Sequence, residues 1–152
     1  MRFLIKMTLA AGTALALAGC ADQSAFSAVE VPEVLKGAPP PDATTVEQFD
    51  TTTAAERQAA LVPATGSSGE REIGHTIASL GNPARPGFWL ETPLVSVPTQ
   101  GRVLYRATGR SVAVDLIPTG GEAGSGSMIS LPALRLLGAA LTGLPELIVY
   151  AG

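Results

Sequence analysis

Gly109-Arg110-Ser111-Val112-Ala113-Val114-Asp115-Leu116-Ile117 is the stretch that decides the fold. Val112, Val114 and Leu116 recur at every second position, with Asp115 between two of them, so one face is apolar and the other polar. A period of two in a run rich in β-branched residues reads as a half-buried strand. The preceding Arg102-Val103-Leu104-Tyr105-Arg106 has the same period, with Val103 and Tyr105 on one face. Ala107-Thr108-Gly109-Arg110 joins the two as a tight connection, so the pair reads as a hairpin.

Working outward, further short strands fall on both sides. Ile73–Leu80 alternates weakly, and Phe88-Trp89-Leu90 leads into Thr92-Pro93-Leu94-Val95. After the hairpin, a Gly/Ser loop runs from Gly120 to Ser127, followed by Met128-Ile129-Ser130. Leu131-Pro132-Ala133-Leu134-Arg135-Leu136-Leu137 reads as a helix, with proline in its first turn and Gly138 as the stop. Glu146-Leu147-Ile148-Val149-Tyr150 is a closing strand. Five or six short strands with one helix predict a mainly β domain, a small barrel, because closure removes exposed strand edges.

The order of these elements resembles the double-psi β-barrel of the rare lipoprotein A family. The resemblance rests on Gly109-Arg110-Ser111-Val112-Ala113-Val114, a glycine-containing loop, Ile129-Ser130-Leu131, the helix through Leu137-Gly138, and Leu147-Ile148-Val149. It covers residues 101–150 and extends weakly back to residue 73. Related barrels occur in expansins and in a membrane-bound lytic transglycosylase. The family has a D-R-G-P loop and an I-D-L-S segment. Here Pro118 stands in place of the first Asp and Ser130 in place of the second. Barrels of this type that cleave glycan use a carboxylic acid to protonate the glycosidic oxygen, and neither Pro nor Ser does that. The resemblance therefore implies the fold without the activity.

The beginning of the chain has a different character. Met1–Lys6 carries Arg2 and Lys6, and the uncharged, mostly apolar run from Met7 to Ala18 is too short for a stable membrane span. Leu17-Ala18-Gly19-Cys20 follows, and these four residues resemble the lipobox of bacterial lipoproteins. The expectation is a signal peptide over residues 1–19, cleaved before Cys20, whose thiol then takes palmitate-type acyl chains. Ala21, rather than an inner-membrane retention Asp, follows the cysteine. By that analogy the protein sits on the periplasmic face of the outer membrane.

Cys20 is the only cysteine, so its acylation leaves no thiol for a disulfide, a thiolate metal site or a nucleophile. Cleavage also removes Arg2 and Lys6, leaving eight basic against thirteen acidic side chains. That excess of acid argues against nucleic acid as a partner.

Residues 20–72 read as an acidic, proline-bearing tether. They contain Pro39-Pro40-Pro41 and Gly66-Ser67-Ser68-Gly69, and nine acids stand against Lys36, Arg57 and Arg71. A short transient helix is expected after the capping box Thr53-Ala54-Ala55-Glu56, ending at Pro63. Fully extended, such a tether would span on the order of 150 Å. Residues 73–152 are the expected domain.

The inventory of that domain restricts its chemistry. Its carboxylates are Glu91, Asp115, Glu122 and Glu146, of which Asp115 and Glu122 are the weak candidates for a relocated proton donor. His75 is the single histidine and no nucleophile-elbow sequence is present, which leaves no triad and no metal set. No cofactor is expected. Arg102, Arg106 and Arg110, with Trp89 and Tyr105, are the candidate lining of a groove for an anionic glycan or a peptide carboxylate.

The function these readings favour is a lipid-anchored, non-catalytic module of the cell envelope that contacts peptidoglycan or another envelope protein. The alternatives are a glycan-cleaving enzyme with relocated acids and a purely structural assembly partner. The anchor has a direct test. Radiolabelled palmitate should enter the wild-type protein and not Cys20→Ser, and equal labelling of the two would remove the lipobox reading.

Overall fold

The computed structural model describes residues 37–152; Cys20, the signal peptide and the first part of the expected tether lie outside them. Ten elements follow in order: α1 (Val46–Phe49), α2 (Ala54–Ala60), β1 (Leu61–Val62), β2 (Arg71–Leu80), β3 (Trp89–Thr92), β4 (Thr99–Tyr105), β5 (Arg110–Pro118), β6 (Ser127–Ile129), α3 (Leu131–Leu137) and β7 (Glu146–Ala151). No helix among the described residues is long and apolar enough to cross a membrane.

Strands β2 to β7 form a closed six-stranded barrel with neighbours in the order β5-β3-β6-β2-β7-β4, and β4 returns to β5. Two pairs are parallel, β2 with β6 and β3 with β5. Exchanging the first three barrel strands for the last three leaves the neighbour relations unchanged, and it swaps the two parallel pairs. The mainly β, small closed barrel expected from the order of elements is thus formed, with an internal two-fold pattern.

The hairpin pairs Tyr105 with Arg110 and Val103 with Val112, in continuous register out to Thr99 with Leu116. Alternation therefore sends Val103, Val112, Val114 and Leu116 into the barrel together, and all four are buried. Leu90, Ile129, Leu147 and Val149 join them from the other strands, and Ala133, Leu134 and Leu137 of α3 pack onto the same core. Helix α3 ends at Gly138, whose φ of 71° is the left-handed cap that glycine adopts without penalty. Gly101 serves a different need: a Cβ there would stand 2.5 Å from the Tyr150 carbonyl oxygen, where β4 passes between β5 and β7.

The boundary expected near residue 72 does not fall there. The compact unit already includes the described residues from Gly37 onward. Thr45 and Thr53 each open a helix with a complete capping box, and β1 pairs with β5, Leu61 opposite Val112 and Val62 opposite Ser111. Residues 37–70 thus form a belt on the barrel rather than a disordered spacer. Some of its acids, which read as solvated tether charge, meet specific cations. Asp50 accepts from Arg135 of α3 at 2.7 Å. Glu70 accepts from Arg102 of β4 at 2.8 Å.

Arg102 is the centre of this attachment. Its side chain is only 3% exposed. It donates to Glu70, to the Ala64 carbonyl at 3.2 Å and to Ser111 Oγ at 3.0 Å. The guanidinium carbon lies 3.8 Å from the centre of the Tyr150 ring. The Arg102 hydrogen bond, helped by the Ser67 backbone N–H, holds the Glu70 carboxyl below its ordinary range despite partial burial.

A carboxyl whose pKa is lowered by folding stabilises the native state above its unfolded pKa, and that contribution is lost as pH falls through the folded value. Glu70→Gln should therefore cost about 1–2 kcal/mol at pH 7 by urea denaturation, and its difference from wild type should shrink below about pH 4. A difference independent of pH between 3 and 7 would show that the charge of Glu70 does not hold the belt.

Candidate functional site

The residues proposed for an anionic-ligand groove are not brought together. Arg102 is buried beneath the belt. Arg106 is exposed in the turn that joins β4 to β5. Arg110 reaches the Leu136 carbonyl at 3.4 Å, and Thr108 Oγ1 donates to the Leu137 carbonyl at 2.7 Å. The tip of the hairpin is thus spent on the C-terminal carbonyls of α3, where donors and positive charge are favourable. Tyr105 is half-buried against the core, and Trp89 is 3% exposed, with Arg85 4.8 Å above its ring. A spacing of four residues converges on a helix; across a hairpin it separates the three guanidinium groups.

Two open clefts among the described residues bear on the candidate residues, and they share no residue. The first is a groove of about 620 Å³ beneath the glycine-rich loop between β5 and β6. Ile77 and Ser79 of β2, Met128 of β6 and Glu91 of β3 line one wall, because Ser79 and Glu91 both pair with Met128 and so share its face. Leu144, from the connection between α3 and β7, completes the groove. Three of the most exposed large apolar side chains among the described residues meet here: Ile77 at 48%, Met128 at 43% and Leu144 at 67%. Glu91, the carboxylate of this groove, is engaged by Arg85 at 2.6 Å.

Pro118 and Ser130 adjoin lining residues of this groove in the chain, Pro118 next to Thr119 and Ser130 two residues after Met128. Pro118 ends β5, paired with Thr92. Ser130 is fully buried at the start of α3. It leaves the helix N-terminus uncapped, and its Oγ instead accepts from the Trp89 backbone N–H at 3.1 Å. In the opposite direction the Ser130 N–H donates to the Trp89 carbonyl at 3.0 Å. Ser130 thus joins β3 to the β6–α3 corner.

The second cleft, about 700 Å³, lies between the belt and the barrel wall. Asp115 belongs to it, on the outer face of β5 and hydrogen-bonded by Gln100 across the hairpin. Glu56 of α2 enters from the belt side. The Thr53 backbone N–H, 2.6 Å from Glu56 Oε2, and the Thr53 side chain hold the Glu56 carboxyl below its ordinary range. Glu122, the other candidate acid, is exposed in the glycine-rich loop and lines neither cleft. Asp115 and Glu122 are therefore not a pair. The carboxylate that does share a cleft with Asp115 comes from the segment read as a tether, and only its capping-box pattern was visible beforehand.

His75 sits on β2, 40% exposed, with Nε2 3.1 Å from Glu72 and Nδ1 3.2 Å from Glu146. Two carboxylates on opposite sides of one ring cannot share a metal ion with it. Among the described residues no group of three His, Cys, Asp or Glu side chains is placed to hold a metal. Comparison with protein-family models, curated proteins and solved structures found no match to this chain.

Proposed function

We propose that this protein is a lipid-anchored, non-catalytic module of the bacterial cell envelope, held through Cys20 on the periplasmic face of the outer membrane. Its barrel would contact peptidoglycan or another envelope protein through the groove beneath the glycine-rich loop. The observation that carries this reading is Ser130. Where related glycan-cleaving barrels place an acid, this chain has a buried hydroxyl committed to the Trp89 backbone. The groove, lined by Met128 two residues earlier in the chain, offers exposed apolar side chains and one carboxylate already paired with arginine. Such a surface suits binding and lacks a proton donor.

The enzymatic alternative needs Asp115 or Glu122 as general acid. A proton donor at neutral pH requires a carboxyl whose pKa is raised, by burial or by a second carboxylate. Glu122 is exposed and lines neither cleft, and the acid that shares a cleft with Asp115, Glu56, has its carboxyl held below its ordinary range by Thr53. In this proposal the reach from the membrane is shorter than a tether to residue 72 would allow. From Cys20 to Gly37 the chain spans at most about 60 Å.

Sedimentation with purified sacculi tests the reading. The chain from residue 20, carrying Cys20→Ser, should be retained more than an unrelated acidic protein and should release no glycan fragments by chromatography. Met128→Glu should reduce retention about five-fold, by placing a charge on the apolar wall. Released anhydro- or reducing-end products would establish the enzymatic alternative, and retention no greater than the control would leave only a protein partner.

A further inference from the structure

The internal two-fold pattern relates β2 to β5 and β3 to β6. The correspondence can be followed residue by residue where the parallel pairs begin. The Asp115 N–H donates to the Phe88 carbonyl at 3.0 Å, and in the register of β2 with β6 the Ser79 N–H meets the Ser127 carbonyl. A glycine of positive φ stands just before each carbonyl residue, Gly87 at 87° and Gly126 at 83°. Ser79 thus corresponds to Asp115, Ile77 to Ala113 and His75 to Ser111. On β5 this edge is covered by the belt. The register of Leu61 with Val112 and Val62 with Ser111 carries the Ala113 N–H to the Ala60 carbonyl and joins Ser111 to Val62 in both directions.

On β2 the corresponding edge is open. The Ala78 N–H donates to the Pro145 carbonyl at 3.0 Å, and the Gly81 N–H donates to the Ile129 carbonyl at 2.9 Å. Backbone groups alternate between edges along a strand, so Gly74, Thr76 and Ala78 face β7 whereas His75, Ile77 and Ser79 face the β6 side. Strand β6 reaches back only to Ala78, opposite Ser127. That ladder takes the Ile77 carbonyl. It leaves the Ile77 N–H and both backbone groups of His75, which have no hydrogen-bond partner among the described residues.

The side chains beside this edge define what fits it. His75 and Ile77 project from the outer face, since Thr76 and Ala78 are buried. Ile77 also lines the groove beneath the glycine-rich loop, with the exposed Met128 and Leu144, so edge and groove are continuous. Around His75 the charge is negative: Glu72 and Glu146 stand 3.1 and 3.2 Å from its two ring nitrogens. A second copy of this chain, added edge to edge, would set these carboxylates against their own counterparts, which is unfavourable. A segment with an apolar side chain beside Ile77 and a basic one beside His75 complements both.

We infer that β2 is extended by a strand from another protein, pairing antiparallel with His75–Ile77 as β1 pairs with Ser111–Ala113. The first residue of that segment is apolar, lies beside Ile77 and accepts from the Ile77 N–H through its carbonyl. The second faces Thr76. The third, lysine or arginine, lies beside His75 and exchanges both backbone hydrogen bonds with it. The inference rests on the groove being a binding surface, and it names the partner there as an extended peptide rather than a glycan.

Hydrogen exchange and an amide NMR titration of the chain from residue 20, carrying Cys20→Ser, test it. In the free protein the His75 and Ile77 amides should exchange at least about ten-fold faster than those of Thr76 and Ala78. Slow exchange at His75 and Ile77 without peptide would show that this chain covers its own edge, alone or as a dimer, and would overturn the inference. Acetyl-Ser-Leu-Thr-Lys-Thr-amide should bind saturably and slow both amides. The same peptide N-methylated at lysine cannot donate to the His75 carbonyl and should bind at least about ten-fold more weakly. Exchanging its Leu and Lys should weaken binding about three-fold, as should Ile77→Thr, whereas Arg106→Gln in the hairpin turn should leave it unchanged. Thermal melts of both variants separate lost binding from lost folding. No saturable binding below about 10 mM, or equal affinity for the N-methylated peptide, would overturn the inference. If sacculi retain the protein while the peptide fails to bind, this inference alone falls; if neither binds, the groove reading falls with it.

Discussion

The parallel pairing of β3 with β5, from Trp89 opposite Asp115 to Thr92 opposite Pro118, is the contact on which the barrel depends. Strand β5 already has β4 along one edge. Only β3 on the other edge carries the ladder onward through β6, β2 and β7 back to β4. Without it the sheet would be open, with two exposed edges to satisfy. Closure also sets the inside of the fold: Leu90 faces Leu116 and Ile129 across its two neighbours, and all three are fully buried. A parallel pair requires a crossover, and here the crossover is β4 itself, so hairpin and closure are one construction.

The belt is attached to this barrel by the β1–β5 ladder, a few buried contacts and ion pairs. Ala60 and Thr52 are its buried contributions, whereas Glu70 and Asp50 meet Arg102 and Arg135. Arg102 stands on the outer face of β4 and would be exposed on a bare barrel. It is buried because the belt crosses over it, with Tyr150 beneath the guanidinium. The same crossing leaves the cleft that holds Glu56 and Asp115. One arrangement thus removes Arg102 from any anionic-ligand groove and creates an acidic cleft elsewhere.

Much of the barrel is legible in the sequence. The hairpin, the alternating set Val103, Val112, Val114 and Leu116, and the helix bounded by Pro132 and Gly138 all follow from local period and punctuation. The capping box at Thr53 was legible as well. The belt was not, because its partners are remote: Glu70 and Arg102 are 32 residues apart, and Asp50 and Arg135 are 85 apart. A run of acids beside Pro and Gly looks like solvated spacer unless the cations it meets are known. The candidate site divided the same way. The presence of Pro118 and Ser130 could be read from the chain, but the bond from the Trp89 N–H to Ser130 could not.

The sequence by itself determined the mainly β character, the order of strands and helix, and the motif at Cys20 that points to an anchor. These are local matters of periodicity, turn chemistry and short motifs, and they act over a few residues. Only the tertiary structure decided which acids stay free, which arginines are consumed, and where apolar side chains gather at the surface. The physical reason is that ion pairs, burial and strand edges depend on distances between residues far apart in the chain. Closure of the barrel and passage of the belt set those distances together.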